Sequence, residues 1–284
     1  MSDYSYILVD TPAETVNRIT LNRPDKRNAL SNALRCELFA ELERADKDPS
    51  VHVTIIRGAG KAFSAGYDLT SLSSGEPQTE PFYTPGGLAH WPRHVVDGCF
   101  WIWDLAKPVI AQVHGYCLAG GTELAQSCDL IYVAEDAQIG YPVVRNISPP
   151  DNNFYPWVVG MRKAMHLMLT GDSMSGVEAV RHGFANEAYP AEDLEQKVLH
   201  FAKRVASVPP ELSQFNKRTV HRQMDLMGIR AAIRASTDTQ QLASMSKPSR
   251  EFFKQMSEQG LTKALDERDT KFGDYRTSGS PDGD

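Results

Sequence analysis

Two stretches of this chain share one design, a strand-forming run that ends in a glycine turn. The first runs from the β-branched segment Val51 to Arg57 through Gly58-Ala59-Gly60 into Ala62-Phe63-Ser64-Ala65-Gly66-Tyr67-Asp68-Leu69. The second runs from Pro108 to Val113 into His114-Gly115-Tyr116-Cys117-Leu118-Ala119-Gly120-Gly121-Thr122-Glu123-Leu124, which enters a helix expected through Glu123 to Ser127. Glycine adopts dihedrals that other residues avoid, so a backbone N–H at such a turn can point out of the fold. The start of a helix adds unpaired N–H groups with positive partial charge. Two such turns facing each other can hold one oxygen between two donors. Neither turn is a nucleotide site: Gly120-Gly121 lacks the dinucleotide spacing, and no G-K-[ST] follows.

Strand and helix patterns alternate around these turns, which points to an α/β class. Ile7-Leu8-Val9 and Val16 to Leu21 read as short strands joined by Thr11-Pro12-Ala13-Glu14. Ser31 is placed to cap a helix running towards Asp48, with Leu34, Leu38 and Leu42 on one face and Pro49 closing it. Leu130 to Ala134 is a further strand. Ser71 to Trp91 is rich in Gly, Pro, Ser and Thr with no apolar period, and reads as a long surface loop that orders on ligand binding. Beyond about Ala191 the pattern is helical over Glu192–Ala206, Glu211–Leu226, Ile229–Met245 and Ser249–Asp269. The polar tail from Thr277 is expected to be disordered.

Charge and cysteine usage exclude several classes. A net charge of -6 argues against nucleic acid as a partner and requires a local basic patch for any anionic ligand. Cys36, Cys99, Cys117 and Cys128 lie far apart, which fits neither a zinc site nor a disulfide framework and suits a reducing cytoplasm. The most apolar stretch, Cys99 to Ala111, is broken by Asp104, Lys107 and Pro108, so no membrane partner is expected. Met1 to Asp10 lacks the basic start and apolar run of a secretory signal.

The two turns, Leu21-Asn22-Arg23-Pro24-Asp25-Lys26-Arg27-Asn28-Ala29-Leu30, Asp136-Ala137-Gln138-Ile139-Gly140, Leu169-Thr170-Gly171 and Ala179-Val180-Arg181-His182-Gly183 occur in one order. Together they resemble the crotonase (enoyl-CoA hydratase/isomerase) family from about Tyr6 to Ser207. The resemblance implies a crotonase-like spiral of ββα units over residues 1–206, carrying an acyl-CoA site. It further implies a helical region over 207–276 that builds homo-trimers or hexamers, and leaves 277–284 as tail. The substrate would be a CoA thioester, with no cofactor beyond that CoA and no metal.

By the same resemblance the oxyanion donors are the N–H groups of Tyr67 and Gly120, in turns formed with Ala65, Gly66, Asp68, Leu69 and Gly121. Lys26, Arg27 and Ala29 match the family's site for the adenine and phosphates of CoA, and the two cations supply the required basic patch. Glu123, three residues after Gly120, matches the first catalytic glutamate, one helical turn inward where it would face the acyl chain. The second glutamate position holds Val143, which cannot titrate. The next segment, Arg145 to Asn153, departs from the family pattern, and Asp151 falls near where a dehalogenase branch places its nucleophile. A turn-forming Asp-Asn pair is the bland reading of Asp151.

Three functions stay open at this point. One is a hydratase-like lyase working with Glu123 alone. Another is a thioester or carbon–carbon bond hydrolase or decarboxylase that enlists Asp151 or His94. The third is a non-catalytic acyl-CoA binding protein. Tyr141 and Tyr155 are possible proton donors, although core packing is the ordinary use of both. Trp91, Trp101, Trp103 and Trp157 flank the turns and would suit a ring-bearing acyl group if they faced it.

Overall fold

The computed structural model describes residues 4–70 and 93–273. The surface loop and the tail expected from the sequence lie outside the described residues. Strands β1 (Ile7–Ala13) and β2 (Val16–Leu21) form an antiparallel hairpin. The first strand extends through Thr11 and Pro12, so the turn is shorter than the sequence suggests. Proline is tolerated there because β1 is an edge strand with no further partner to serve. Strands β3 (Val53–Gly58), β5 (Val109–Val113), β7 (Leu130–Ala134) and β10 (Glu187–Tyr189) add in parallel, giving a six-stranded sheet in the order β1-β2-β3-β5-β7-β10.

A second, smaller sheet takes β4 (Ala62–Ser64), β6 (Tyr116–Leu118), β8 (Gln138–Gly140) and β9 (Ser173–Met174), in that order. Its strands are two or three residues long, too short for any period to show in sequence. The chain passes repeatedly from the large sheet to the small one, β3 to β4, β5 to β6 and β7 to β8. Helices carry it back, among them α2 (Gly98–Asp104) before β5 and α3 (Gly120–Ser127) before β7. This is the expected spiral of β–β–α turns.

Helix α1 (Asn32–Lys47) starts as its cap predicts, with the Leu34 N–H donating to Ser31 Oγ at 3.2 Å. Leu34, Leu38 and Leu42 are all buried in the main core. Each such leucine contributes about 1.5–3 kcal/mol of apolar burial. Short helices α4 (Tyr155–Val158), α5 (Gly160–Thr170) and α6 (Gly176–Arg181) complete the spiral. Helix α7 (Ala191–Ala206) lays Leu194, Val198 and Ala202, four residues apart, into the same core.

Helices α8 (Pro210–Leu226), α9 (Ile229–Ser244), α10 (Lys247–Gln259) and α11 (Leu261–Asp269) follow. The sequence suggests one helix over Ser249–Asp269, but the structure divides it. Gly260 takes φ +88°, a left-handed value closed to ordinary helix residues, and the chain turns there. The turn lets Phe252 and Ala264 pack together on Ile147, which brings α10 and α11 back against the spiral. Among the described residues no helix is long and apolar enough to cross a membrane. All four cysteines are free thiols.

Candidate active site

The two glycine turns meet. Gly66, at φ +102°, sits so close to the second turn that a Cβ added to it would lie 2.8 Å from Ala119 Cβ and 3.0 Å from the Gly120 nitrogen. Leu30 bonds to both neighbours of Tyr67, its N–H donating to the Gly66 carbonyl at 2.8 Å and its carbonyl accepting from the Asp68 N–H at 3.2 Å. That parallel bridge turns the N–H of Tyr67 itself away from Leu30. On the other side Ala119 is held at φ 50° and ψ -125°, rare for a residue with a Cβ. The Ala119 N–H donates to the Gly140 carbonyl at 2.9 Å, and the Ala119 carbonyl accepts from Thr122 Oγ1 at 2.7 Å. Gly120 then opens α3, where its N–H has no acceptor within the helix. Gly121 serves packing, since a Cβ there would stand 2.5 Å from the Ser64 carbonyl oxygen.

A cavity of about 610 Å³ lies in front of the turns, within the size range of small-molecule sites. Ala65, Tyr67, Asp68 and Leu69 line it from the first turn, and Leu118 and Ala119 from the second. Lys26, Arg27 and Ala29 line it as well, from a tight loop in which Arg27 and Asn28 both have positive φ. Asn28 secures that loop from inside: its Nδ2 donates to the carbonyls of Ala59 (2.9 Å) and Ala62 (2.7 Å), while its Oδ1 accepts from the Arg23 N–H (2.9 Å). Arg27 lies over the Tyr116 ring at 5.1 Å. Val143, Ile147, Ser148 and Asp151 line the cavity too, as do Gln240, Phe253, Leu265 and Arg268 on the C-terminal helices.

Asp68 lines the cavity, yet its carboxylate faces the protein. It accepts from Arg23 Nη1 at 2.8 Å, and from the N–H and Oγ1 of Thr70. Burial pushes its carboxyl up, but these donors outweigh that and hold it below the ordinary aspartate value. Its carboxylate ties the first turn to the loop that starts at Arg23.

Glu123 is fully buried (0% exposed) and does not line the cavity. Its Oε1 accepts from Tyr141 Oη at 3.0 Å and from the Asp151 backbone N–H at 3.1 Å. Its Oε2 accepts from Tyr67 Oη at 2.9 Å and from Asn152 Nδ2 at 3.1 Å. Burial raises the Glu123 carboxyl above the usual range, against the opposing hydrogen bonds of Asn152, Tyr67 and Tyr141. Burial and the nearby Glu123 charge likewise push both phenols well above their ordinary value. The sequence expectation that Glu123 faces the acyl chain needs correcting. Two phenols stand between the carboxylate and the cavity, and both line it.

Val143 lines the cavity beside Tyr141 and Pro142, presenting an apolar surface as its identity implies. Asp151 also lines it at 4% exposure, and its carbonyl accepts from Thr237 Oγ1 at 2.6 Å. The described tryptophans, Trp101, Trp103 and Trp157, do not line the cavity. Trp101 packs edge-on against Phe39, Trp103 stacks between Phe154 and His221, and Trp157 joins that second cluster. Trp91 lies outside the described residues, as does the side chain of His94, whose backbone forms part of a wide helical turn. Tyr155 is core, as its ordinary use suggests.

No local signal marks Asn152 as a partner of Glu123, or the contact that holds the last helix over the cavity. Arg145 Nη1 reaches Asp269 Oδ1 at 3.0 Å, and Arg268 Nε reaches the same oxygen at 2.8 Å. Among the described residues no group of His, Cys, Asp and Glu is arranged to hold a metal.

Comparison with known proteins agrees with this architecture. The model of the family described as enoyl-CoA hydratase/isomerase matches residues 11–275. A Mycobacterium tuberculosis protein described as an enoyl-CoA hydratase, EchA13, is 35% identical over 249 residues, covering 81% of this chain and 78% of its own. The hydroxycinnamoyl-CoA hydratase-lyase of Pseudomonas fluorescens is 33% identical over 199 residues, covering 68% and 70% respectively. The crystal structure of an enoyl-CoA hydratase/isomerase from Xanthobacter autotrophicus Py2 superposes with a TM-score of 0.86 at 32% identity, over 95% of this chain and 99% of that one.

Proposed function

Because this chain belongs to the enoyl-CoA hydratase/isomerase family, we propose that it adds water across the double bond of a 2-enoyl-CoA thioester. The observation that carries the reading is the seat of Glu123: a buried carboxylate with four hydrogen-bond donors, directly beneath two abutting glycine turns. The thioester oxygen takes the N–H groups of Tyr67 and Gly120. Negative charge gathers on that oxygen as water adds at Cβ, and donors fixed in advance stabilise it without reorganising. The proton taken from water ends on Glu123 and later returns from it to Cα, so one carboxylate serves as the final base and then as the acid. Burial, which raises its pKa, makes the Glu123 carboxylate a stronger base towards water than an ordinary glutamate.

The CoA portion lies towards Lys26, Arg27 and Ala29. The mixed wall of Val143, Ile147, Ser148 and Gln240 meets the acyl group. One relative carries the name of a hydroxycinnamoyl-CoA hydratase-lyase, so an aromatic enoyl-CoA belongs in the substrate panel beside crotonyl-CoA. The helices over residues 207–276 assemble a homo-trimer or hexamer, a reading supported by exposed apolar residues such as Phe215 and Leu226 on α8 and Leu169 on α5. No cofactor beyond the substrate's CoA enters the scheme.

The test is Glu123→Gln. Turnover of the panel should be abolished while calorimetry still detects CoA-ester binding, and unchanged hydration by this variant would sink the reading. A second reading is favoured by the buried Asp151 at the cavity wall, namely thioester cleavage through an acyl-aspartate. Release of free CoA with label retained on Asp151 would favour it over hydration. Tight binding without turnover of any substrate would instead indicate a binding protein.

A further inference from the structure

We infer that the phenol of Tyr67 is the group that exchanges the proton with the reacting carbons, carrying it between them and Glu123. This rests on the hydratase reading and deepens it. Glu123 has no surface on the cavity, and each of its oxygens is taken by two donors. A proton passing between Glu123 and a ligand must therefore cross one of the side chains in front of it. Tyr67 and Tyr141 are the two phenols bonded to the carboxylate that also line the cavity. Tyr141 is only 2% exposed, whereas Tyr67 is partly open. Tyr67 also stands on the oxyanion turn, its ring against Gly120, so its hydroxyl is carried next to the bound thioester. One residue thus offers two groups to the same ligand, a backbone N–H and a phenol.

The steps balance without a free phenolate. As the water oxygen bonds to Cβ, the breaking O–H bond passes its proton to Tyr67 Oη. The phenol's own proton moves to Glu123 Oε2, and the C=C electrons shift to the thioester oxygen. In return Tyr67 gives a proton to Cα and regains one from Glu123, which ends as the carboxylate it began as. Gaining one proton as it loses another suits a phenol whose ionisation is disfavoured by burial. The buried Arg35 guanidinium, 5.7 Å from the Tyr67 ring centroid, offsets part of the negative charge that passes through it. Tyr141 acts on the other oxygen as a positioning residue, together with the Asp151 N–H.

The experiment compares wild type, Tyr67→Phe, Tyr141→Phe and Asp151→Asn on crotonyl-CoA and an aromatic enoyl-CoA, followed by loss of enoyl absorbance. Tyr67→Phe keeps the backbone N–H, so kcat should fall at least about 100-fold with little change in KM, as loss of a general acid–base group does. The double variant Tyr67→Phe/Glu123→Gln should be no slower than the slower single variant, because the two act as one unit. Replacing Tyr67 by 3-fluorotyrosine, a more acidic phenol of nearly the same shape, should move the pH profile of kcat, which a merely structural role would not. If wild type hydrates the panel and Tyr67→Phe keeps its kcat, or if Asp151→Asn alone abolishes turnover, the relay is overturned and the hydratase reading stands. If wild type hydrates nothing, the hydratase reading is overturned and the relay falls with it.

Discussion

The ring of Tyr67 packs against the backbone of Gly120 so closely that a Cβ built on that glycine would stand 2.5 Å from Tyr67 Cε2 and 2.6 Å from Cδ2. No real Cβ tolerates those distances, so the Gly120→Ala variant has to move the ring. Moving it breaks the 2.9 Å bond from Tyr67 to Glu123 and shifts the first turn against the second. Overpacking of this kind costs about 1–3 kcal/mol of stability. The expected result is a folded protein, with a modest fall in Tm, whose kcat drops by about 100-fold or more, the scale for losing an oxyanion donor. Circular dichroism with steady-state kinetics checks both halves.

This glycine shows which parts of the site can be read from sequence. The turn at Leu118 to Glu123 is local, and its glycines and following helix signal themselves in consecutive residues. The same holds for the strands Val16–Leu21 and Leu130–Ala134, whose bounds the structure reproduces. What faces Glu123 is not local. Asn152 lies 29 residues away and Tyr67 lies 56 away, and nothing in their own neighbourhoods marks either as a partner. Helical periodicity over Ser249–Asp269 likewise cannot say that Gly260 turns the chain back and sets Arg268 at the cavity.

The CoA-type loop makes a separate claim on Lys26 and Arg27. They line the cavity, and in a protein of net charge -6 they are the cations expected to meet phosphates. Replacing both by Ala should raise KM for CoA esters about tenfold, with kcat unchanged, because binding lost equally from ground and transition states appears in KM alone. The penalty should shrink as salt is added, since screening weakens the wild-type contact. Kinetics across ionic strength would show whether the pair acts in this way.

Asp68 gives a prediction with a pH sign. Its folded pKa is depressed, so the group contributes stability that is present above the unfolded pKa and lost as pH falls through the folded one. Asp68→Asn keeps the shape but leaves Arg23 without its buried carboxylate, a change worth about 1–3 kcal/mol once solvent access to Arg23 is allowed for. At neutral pH the variant should be less stable than wild type. The gap should close as pH drops below about 4, where aspartate in the unfolded chain is protonated. Urea denaturation of both proteins across that range measures the difference.

Val143 lines the cavity, and Val143→Glu would place a carboxylate on its wall beside Tyr141. Two carboxylates near one another do not both ionise freely, so one is pushed towards the acid form while the other stays a base. Such a split pair is what hydration uses, with water activated on one side and Cα protonated from the other. Val143 also packs on the cluster of Ile147, Phe252 and Ala264, so part of the apolar contact is lost and stability should fall by about 1–2 kcal/mol. The expected outcome is a rise of about tenfold in crotonyl-CoA hydration, with an acid limb absent from the wild-type pH profile. In the Glu123→Gln background the same substitution should restore measurable turnover. A Val143→Glu protein that is folded and binds CoA esters but hydrates no faster would mean that position 143 does not face Cα or Cβ. The side chain at that position would then have no bearing on which reaction this site performs.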